Sequence, residues 1–300
     1  MFVDGSLFPG ERSGFAVFYS DGSPLNFHAG FACPAGVPPG STKTYGYCTP
    51  HALAQLSAAQ ARLSGTIRSV SATIDPTERR WHELVAQSLA TAEGDHRPPL
   101  WVVLGDSTAQ GIGASSIDHG WVSRLHAALH DAGRPYAIVN LSRSGAHSTH
   151  VIDEQLPLLD HLPYAASIVT ICVGGNDLVA NPYAPRLTRR LERLAEAAPR
   201  GSILCTLPAP SFSPTARYVN RAVRRAATEH GHLVAELGAH LLPPHRGLSA
   251  DRYHPNDRGY DAWVRAFAEP MGIDPDLVPQ RGTLTSATSD PGGRATKASG

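Results

Sequence analysis

Leu100-Trp101-Val102-Val103-Leu104-Gly105-Asp106-Ser107 begins with five consecutive apolar residues and ends in a short polar turn. An uninterrupted apolar run of this length predicts a strand buried on both faces, as in a parallel sheet. A serine just past the carboxyl end of such a strand lies at the edge where open α/β sheets carry their chemistry. The last three residues alone are also an ordinary turn sequence. The prediction of a functional serine therefore depends on residues farther along the chain.

Strands and helices alternate after this run. The candidate strands are Leu100–Leu104, Tyr136–Asn140, Ile168–Val173, Ser202–Leu207 and His232–Glu236. Helical patterns lie between them at Gly120–Ala132, Thr149–Leu159, Pro185–Ala198 and Pro214–His230, and a final helix after Pro255 is expected to bury Tyr260, Trp263, Val264 and Phe267. This alternation predicts an α/β fold: a parallel sheet of about five strands with helices on both faces, in a three-layer αβα arrangement.

Three regions are predicted along the chain. Residues 98–271 form the α/β domain, 1–97 an N-terminal extension of unknown role, and 272–300, rich in Pro, Gly, Ser, Thr and Asp, a disordered tail. Apolar stretches around the turn 20–24 predict a hairpin in the extension. A later helix is predicted with Asp75 as N-cap and Glu78 three residues on, and it is expected to pack on the following domain.

Composition excludes several function classes. The chain of 300 residues has 26 Lys and Arg against 26 Asp and Glu, and this zero formal charge argues against a nucleic-acid or anionic-membrane binder. No apolar stretch reaches the roughly 18 residues of a membrane-spanning helix, and no secretory signal is visible. A cytoplasmic location is therefore the expectation. Cys172 and Cys205 are expected to be buried thiols, whereas a pairing of Cys33 with Cys48 stays open.

Ser107 needs a general base, because a serine hydroxyl is a poor nucleophile at neutral pH. His254 is the candidate base, and Pro255 is expected to take the first position of the helix that follows it. Asp251 lies three residues before His254, close enough to bind its second ring nitrogen and to stabilise the imidazolium. Each residue alone also fits a structural role: a turn cap, a surface histidine or a helix cap. The Asp-x-x-His-Pro spacing is a stronger signal than either residue.

Gly145 and Asn176 are candidate donors to an oxyanion. Gly145 lies in Ser142-Arg143-Ser144-Gly145-Ala146 after the second strand, where the absence of a Cβ lets an acyl carbonyl approach the backbone N–H. Asn176 lies in Gly174-Gly175-Asn176-Asp177 after the third strand and offers a side-chain amide. Together with the N–H of Ser107, these groups would supply three donors to one developing oxyanion.

These four segments resemble the four sequence blocks of the SGNH hydrolases, also called the GDSL esterase/lipase family. The family letters S, G, N and H fall on Ser107, Gly145, Asn176 and His254, and the resemblance spans roughly residues 98–271. It implies a flavodoxin-like three-layer fold and hydrolysis of carboxylic acyl esters through an acyl-enzyme. The implied catalytic residues are Ser107, Asp251 and His254, with an oxyanion hole of Ser107, Gly145 and Asn176. The resemblance implies no metal and no organic cofactor, and a small-molecule or lipid ester as the partner.

The sequence departs from the family pattern beside the nucleophile. Thr108 stands in place of the usual leucine, and Ala109 occupies a position where threonine is frequent, while Gly111 restores the pattern. These changes touch the loop next to Ser107 and leave every catalytic group in place. They are expected to alter the polarity of the pocket.

Other site types fit the sequence less well. Around Ser107 there is no Gly-x-Ser-x-Gly elbow and no Gly-x-Gly-x-x-Gly, and the chain holds no Walker motif. The pairs His126/His130 and His147/His150 lack clear partners for a zinc site, although the second pair is a candidate for the pocket mouth. Acyl transfer to an alcohol is a variant of the same chemistry. A catalytically idle module that binds an acylated or glycan ligand is the second hypothesis, and the intact catalytic residues favour the first.

Overall fold

The computed structural model describes residues 17–18, 24–25, 65–90, 97–180, 183–207, 214–241, 248–251 and 253–282. Its strands are β1 (Val17–Phe18), β2 (Pro24–Leu25), β3 (Leu100–Gly105), β4 (Ala137–Asn140), β5 (Ala166–Cys172), β6 (Ile203–Cys205) and β7 (Leu233–Ala235). Strands β1 and β2 pair antiparallel, which confirms the predicted hairpin. The other five form one parallel sheet, which confirms the predicted fold class.

The sheet has the order β4-β3-β5-β6-β7. The chain therefore places its second sheet strand on one side of the first and all later strands on the other side. This is the flavodoxin-like order, in which the direction of winding reverses at the first strand. Ligand crevices of such sheets open at the carboxyl ends of the strands that flank the reversal, here β3, β4 and β5.

The helices are α1 (Gly65–Ser71), α2 (Ile74–Ala90), α3 (Ser107–Gln110), α4 (Trp121–Asp131), α5 (Ser148–His150), α6 (Gly175–Ala180), α7 (Ala184–Ala197), α8 (Pro214–His230), α9 (Leu237–His240) and α10 (Tyr260–Ala268). Single turns of 3₁₀ helix lie at Ile117–His119 and Pro275–Leu277. The predicted helix Thr149–Leu159 is instead divided into α5, a π turn (Val151–Gln155) and a 3₁₀ segment (Leu156–His161). Within the described ranges, no helix combines the length and the apolar character that a bilayer crossing requires.

Two helix starts differ from the prediction. Asp75 lies in the first turn of α2 and is not its N-cap, because Thr77 N–H already donates to the carbonyl of Thr73 and begins the helix earlier. Pro255 is not a helical residue, since α10 begins only at Tyr260. The predicted apolar face of α10, which consists of Tyr260, Trp263, Val264 and Phe267, is buried as expected.

Helices cover both faces of the sheet because successive side chains of a strand point to opposite sides. On β3, Trp101 and Val103 pack in the cluster that includes α4 and α10. The alternate positions Leu100, Val102 and Leu104 pack with α7 and α8. Cys172 and Cys205 are free buried thiols, as predicted, while Cys33 and Cys48 lie outside the described residues.

Helix α2 belongs to the core although it precedes the predicted domain. Trp81 and Leu84 pack in the α4/α10 cluster, and Val85 packs in the other cluster with the side chains of β4. Ser88 Oγ also accepts a hydrogen bond of 2.7 Å from the N–H of Ile138 in β4. Since β4 is an edge strand, this contact satisfies a donor that sheet pairing leaves open.

Ordered contacts continue past residue 271, where the sequence predicts a disordered tail. Val278 is buried in the α4/α10 cluster. The buried guanidinium of Arg124 donates to the carbonyl of Pro279 at 2.9 Å, and Gly282 N–H donates to the carbonyl of Asp118 at 2.7 Å. Residues 272–282 thus pack with the domain. The buried guanidinium of Arg124 requires hydrogen-bond acceptors, and the carbonyl of Pro279 in this segment is one of them. The rest of the predicted tail lies outside the described residues.

A glycine is required at the end of β3, where the chain passes close to β5 just before Ser107. Gly105 has φ +141°, and a Cβ built on it would lie 2.0 Å from the carbonyl oxygen of Cys172 in β5. Replacement by alanine should therefore lower the free energy of unfolding by about 3 kcal/mol or more, from backbone strain and displacement of β5. Chemical denaturation measures this loss.

Gly133→Ala is the matched control for Gly105→Ala. Gly133 also has a positive φ, +70°, but a Cβ there would meet no atom within 4 Å. This control should cost only the strain of the left-handed backbone, about 1 kcal/mol. Equal losses in the two variants would contradict the close approach of Gly105 to β5.

Candidate active site

Ser107 is the first residue of α3, directly after β3. The side chain of Asp106 caps this short helix by accepting a hydrogen bond of 2.9 Å from the N–H of Thr108. Asp106 N–H in turn donates to the carbonyl of Cys172 at 3.1 Å, which holds the turn against β5. Ser107 itself is 1% exposed. The sequence Gly-Asp-Ser therefore forms a strand-to-helix turn that fixes the serine at the carboxyl edge of the sheet.

His254 lies in a loop that closes on itself before α10. The N–H of Ala250 donates to the carbonyl of His254 at 2.8 Å, and the N–H of Asn256 donates to the carbonyl of Leu248 at 3.1 Å. These bonds form a small bridge between two extended stretches, so Pro255 ends a bridge and does not start a helix. The imidazole is 2% exposed and points toward α3.

Ser107, His254 and Asp251 are brought together in one hydrogen-bonded row. Ser107 Oγ lies 3.1 Å from His254 Nε2, and His254 Nδ1 lies 2.8 Å from Asp251 Oδ2. Asp251 Oδ1 accepts the backbone N–H groups of Tyr253 at 3.0 Å and of His254 at 2.7 Å. Because the carboxylate accepts from Nδ1, the lone pair of Nε2 is left facing the serine hydroxyl.

Asp251 is held in its charged form. Burial acts to raise its pKa, but the hydrogen bonds and the charge of His254 act more strongly in sum, and the net effect lowers the pKa of Asp251. An ionised carboxylate beside the ring stabilises an imidazolium and fixes the ring tautomer. The pair is therefore suited to accept and return one proton at Nε2.

Gly145 lies in a tight turn after β4. Ala146 N–H donates to the carbonyl of Arg143 at 3.1 Å, and Gly145, the third residue of this turn, has φ +79°. A glycine adopts this conformation without strain. The start of the loop is tied to β3, since Arg143 N–H donates to the carbonyl of Gly105 at 3.1 Å. Among the described residues, the N–H groups of Ser107 and Gly145 have no hydrogen-bond acceptor.

The amide of Asn176, near the start of α6, is fixed at both ends. Its Nδ2 donates to the carbonyl of Ala146 at 2.9 Å, and its Oδ1 accepts from the hydroxyl of Tyr253 at 2.7 Å. An amide nitrogen carries two protons, so one N–H of Asn176 is left after the bond to Ala146. Tyr253 was not among the residues predicted from the sequence, although it stands between Asp251 and His254.

Helix α6 is joined to the Gly145 loop by the residue after Asn176. Asp177 is buried and accepts the N–H of Ser148 at 2.8 Å and its hydroxyl at 2.9 Å. Arg190 from α7 lies 3.3 Å from the same carboxylate. This buried link joins the segments that follow β4 and β5.

The two residues after Ser107 that depart from the expected motif have contacts of their own. The hydroxyl of Thr108 donates to Asp106 Oδ1 at 2.8 Å and lies 3.4 Å from Cys172 Sγ. Ala109 is fully buried in the α4/α10 cluster. Thr108 thus contacts Asp106 and Cys172, and Ala109 packs in the core, while the expected effect on pocket polarity stays a prediction.

The histidine pair after the loop forms a local hydrogen bond. His147 N–H donates to His150 Nδ1 at 2.8 Å. Burial, together with the charge of Arg143, lowers the pKa of His150 to about 3, so its ring is neutral. Within the described ranges no three His, Cys, Asp or Glu side chains are grouped as the ligands of a metal would be.

A family model described as the GDSL-like Lipase/Acylhydrolase family matches residues 103–262, which is more than half of the 300 residues. The chain belongs to this family. The matched segment contains Ser107, Gly145, Asn176, Asp251 and His254, and it excludes helix α2.

Several solved structures are similar to the chain. They include TesA (24% identity, covering 60% of this chain and 99% of that one, TM-score 0.49). A member of the lipolytic G-D-S-L family from Veillonella parvula has 20% identity, coverage of 57% and 96%, and a TM-score of 0.47. The acetylxylan esterase Axe2 from Geobacillus stearothermophilus has 19% identity, coverage of 61% and 97%, and a TM-score of 0.45. The chain matches no curated protein.

Asp106 should make stability depend on pH. Burial raises its pKa from 3.8 to about 6, although hydrogen bonds from Thr108 and the charge of His254 act in the opposite direction. Between these values the folded chain keeps a proton that the unfolded chain releases, so the free energy of unfolding falls as pH rises. The variant Asp106→Asn has no carboxyl group to titrate here, so its free energy of unfolding does not fall in this way. Its side-chain amide oxygen can still accept the hydrogen bond from Thr108.

Denaturation of both proteins from pH 4 to 7 measures the effect. The unfolding free energy of Asp106→Asn minus that of the unchanged chain should increase from pH 4 to 6 and level off above. A difference that stays constant over this window would show that the carboxyl group of Asp106 titrates normally.

Proposed function

We propose that this chain is a serine esterase that hydrolyses carboxylic acyl esters through a covalent acyl-enzyme. Membership in the GDSL-like lipase/acylhydrolase family supports ester hydrolysis. The observation that carries the finer proposal is the row Ser107 Oγ–His254 Nε2–Asp251, with contacts of 3.1 and 2.8 Å between buried groups. The substrate is a small-molecule or lipid ester.

Acylation begins with attack of Ser107 Oγ on the acyl carbon. The hydroxyl proton passes to His254 Nε2, and the π electrons of the carbonyl move to its oxygen. When the tetrahedral intermediate collapses, the bond to the alcohol oxygen breaks and the imidazolium returns the proton to that oxygen. Asp251 stabilises the imidazolium during this interval, since it stays ionised beside Nδ1.

Deacylation repeats the sequence with water. His254 Nε2 takes a proton from a water molecule while the oxygen of that water bonds to the acyl carbon. Collapse of the second intermediate breaks the bond between the acyl carbon and Ser107 Oγ, and the proton returns to the serine. The products are a carboxylic acid and the free enzyme, and no external redox partner is required.

Three donors are proposed to stabilise the oxyanion: the backbone N–H groups of Ser107 and Gly145 and the remaining amide N–H of Asn176. The proposal is supported by the lack of another acceptor for the two backbone groups among the described residues. Donors that are fixed before the reaction stabilise the developing charge without reorganisation. The hydroxyl of Tyr253 holds the amide of Asn176 in place by donating a hydrogen bond to its oxygen.

Replacement of the nucleophile is the direct test. Ser107→Ala should abolish turnover of a p-nitrophenyl ester and labelling by a fluorophosphonate probe, because both reactions form a bond to Oγ. The matched control is Ser167→Ala, which changes an exposed serine near the amino end of β5. It should keep both activities.

Two outcomes would contradict the esterase proposal. Undiminished labelling of Ser107→Ala would assign the nucleophile elsewhere. Lack of both turnover and labelling in the unchanged chain would favour an idle module that binds an acylated or glycan ligand. Intact-mass measurement of the labelled protein reports the covalent adduct directly.

The oxyanion role of Asn176 predicts a graded pair of variants. Asn176→Ala should lower kcat by about two to three orders of magnitude with KM nearly unchanged, because a donor used in the transition state is lost. Tyr253→Phe removes only the hydroxyl that orients the amide and should lower kcat by about tenfold. Steady-state kinetics on one ester measure both.

Tyr218→Phe is the control for loss of a hydroxyl, since Tyr218 is exposed on α8. It should leave kcat unchanged. An unchanged kcat in Asn176→Ala would remove this amide from the oxyanion role. A normal kcat in Tyr253→Phe alone would mean that the bond to Ala146 suffices to orient Asn176.

A further inference from the structure

Helix α2 carries a buried carboxyl group that the proposed reaction does not use. Glu78 is 7% exposed and lies outside residues 103–262, the segment that matches the family. The sequence pattern predicts a capping box for it at the start of α2. The helix begins earlier than that capping box requires, and the carboxyl group instead contacts residues beside the candidate active site.

Gln110, the last residue of α3, connects Glu78 with the loop that precedes Gly145. Its Nε2 donates to the carbonyl of Ser142 at 3.0 Å and to Glu78 Oε1 at 3.2 Å. Its Oε1 accepts from the hydroxyl of Ser144 at 2.6 Å. Since a backbone carbonyl can only accept, the bond to Ser142 fixes which end of the amide carries the nitrogen.

Glu78 also lies beside this loop. The backbone N–H of Ser144, the residue immediately before Gly145, is directed at the carboxyl group of Glu78 and acts to lower its pKa. The same helix holds α3 by a second contact, because Trp81 Nε1 donates to the carbonyl of Gln110 at 2.9 Å. Helix α2 therefore contacts both the helix that begins with Ser107 and the turn that contains Gly145.

We propose that Glu78 is a positioning residue, which sets the separation between Ser107 and the N–H of Gly145 through Gln110 and Ser144. The inference rests on the proposed esterase function and adds a residue from the N-terminal region to it. A donor displaced by a fraction of an ångström stabilises an oxyanion less well, while substrate binding in the ground state is little affected. The expected signature is a change in kcat without a change in KM.

The charge state of Glu78 provides a second signature. Burial raises its pKa from 4.5 to about 7, with a contribution from Asp75 on the same helix. The hydrogen bonds from Gln110 and Ser144 and the charge of Arg143, from the loop after β4, act to lower it. Arg143 is itself paired with Glu154 at 3.0 Å. An ionised carboxylate accepts both N–H donors, whereas a protonated one gives up part of this capacity.

Glu78→Gln is the test, and Glu83→Gln on the same helix is its matched control. Glu83 is exposed and forms a surface pair with Arg80. Glu78→Gln places an amide NH₂ against one of the two N–H groups that face Glu78, those of Gln110 and Ser144. At pH 8, kcat should therefore fall by about tenfold, while KM stays within a factor of two. Glu83→Gln should match the unchanged chain in both parameters.

The pH dependence separates positioning from a general loss of structure. As pH falls through 7, Glu78 in the unchanged chain takes up a proton and comes to resemble the variant. The ratio of kcat between the unchanged chain and Glu78→Gln should therefore be largest at pH 8 and approach one near pH 5. A tenfold ratio that is constant from pH 5 to 8 would overturn the positioning role.

The remaining outcomes are also decisive. A normal kcat in Glu78→Gln, together with an inactive Ser107→Ala, overturns this inference and leaves the esterase proposal standing. An active Ser107→Ala overturns the esterase proposal itself. If thermal unfolding shows that Glu78→Gln is not folded at the assay temperature, Ser144→Ala takes its place. That variant removes one hydroxyl bond to Gln110 and should lower kcat severalfold, and an unchanged kcat would refute the proposal.

Discussion

The close passage of β3 beside β5 is the constraint on which the site depends. Gly105 approaches the carbonyl of Cys172 more closely than any residue with a Cβ can, and the next N–H, from Asp106, donates to that same carbonyl. The side chain of Gln155 completes the clamp, because it accepts the N–H of Gly105 at 2.8 Å and donates to its carbonyl at 2.9 Å. The exit direction of the chain from β3 is thereby fixed, and with it the position of Ser107. The loops after β4 and β5 are built against this fixed point.

The candidate active site is assembled from buried polar groups that already have partners. Asp251 accepts three N–H groups, Asn176 is bound at both ends of its amide, and Asp177 accepts two bonds from Ser148. A buried polar group without a partner costs about 1–3 kcal/mol, which is a substantial fraction of the roughly 5–15 kcal/mol of a typical domain. Satisfying these groups therefore stabilises the fold and immobilises the donors in one step. Their orientation is set before any ligand arrives, which is the condition for electrostatic stabilisation of a transition state.

Local patterns were enough to locate the four motif segments and the sheet. Each segment follows a recognisable apolar strand, and parallel strands bring their carboxyl ends to one edge, so Ser107, Gly145 and Asn176 could be expected to meet there. Contacts between distant segments were out of reach. The bond from Tyr253 to Asn176 joins residues 77 positions apart, and its existence depends on how two loops face each other. The predicted start of α2 was wrong for a different reason. Thr73 and Asp75 are both good capping residues, and the bond from Thr77 N–H to the carbonyl of Thr73 starts the helix at the earlier one.

The contacts of α2 fall at one edge of the sheet, beside β4. Strands β3 and β5, which lead to Ser107 and Asn176, are each paired on both sides, whereas β4 is paired only with β3. The loop that carries Gly145 therefore starts from an edge strand. On the open side of β4, where no described strand pairs, Ser88 of α2 accepts the hydrogen bond from the N–H of Ile138. Glu78 of the same helix lies beside the loop that follows β4. Helix α2 thus satisfies an edge donor of β4 and also contacts the loop that follows this strand.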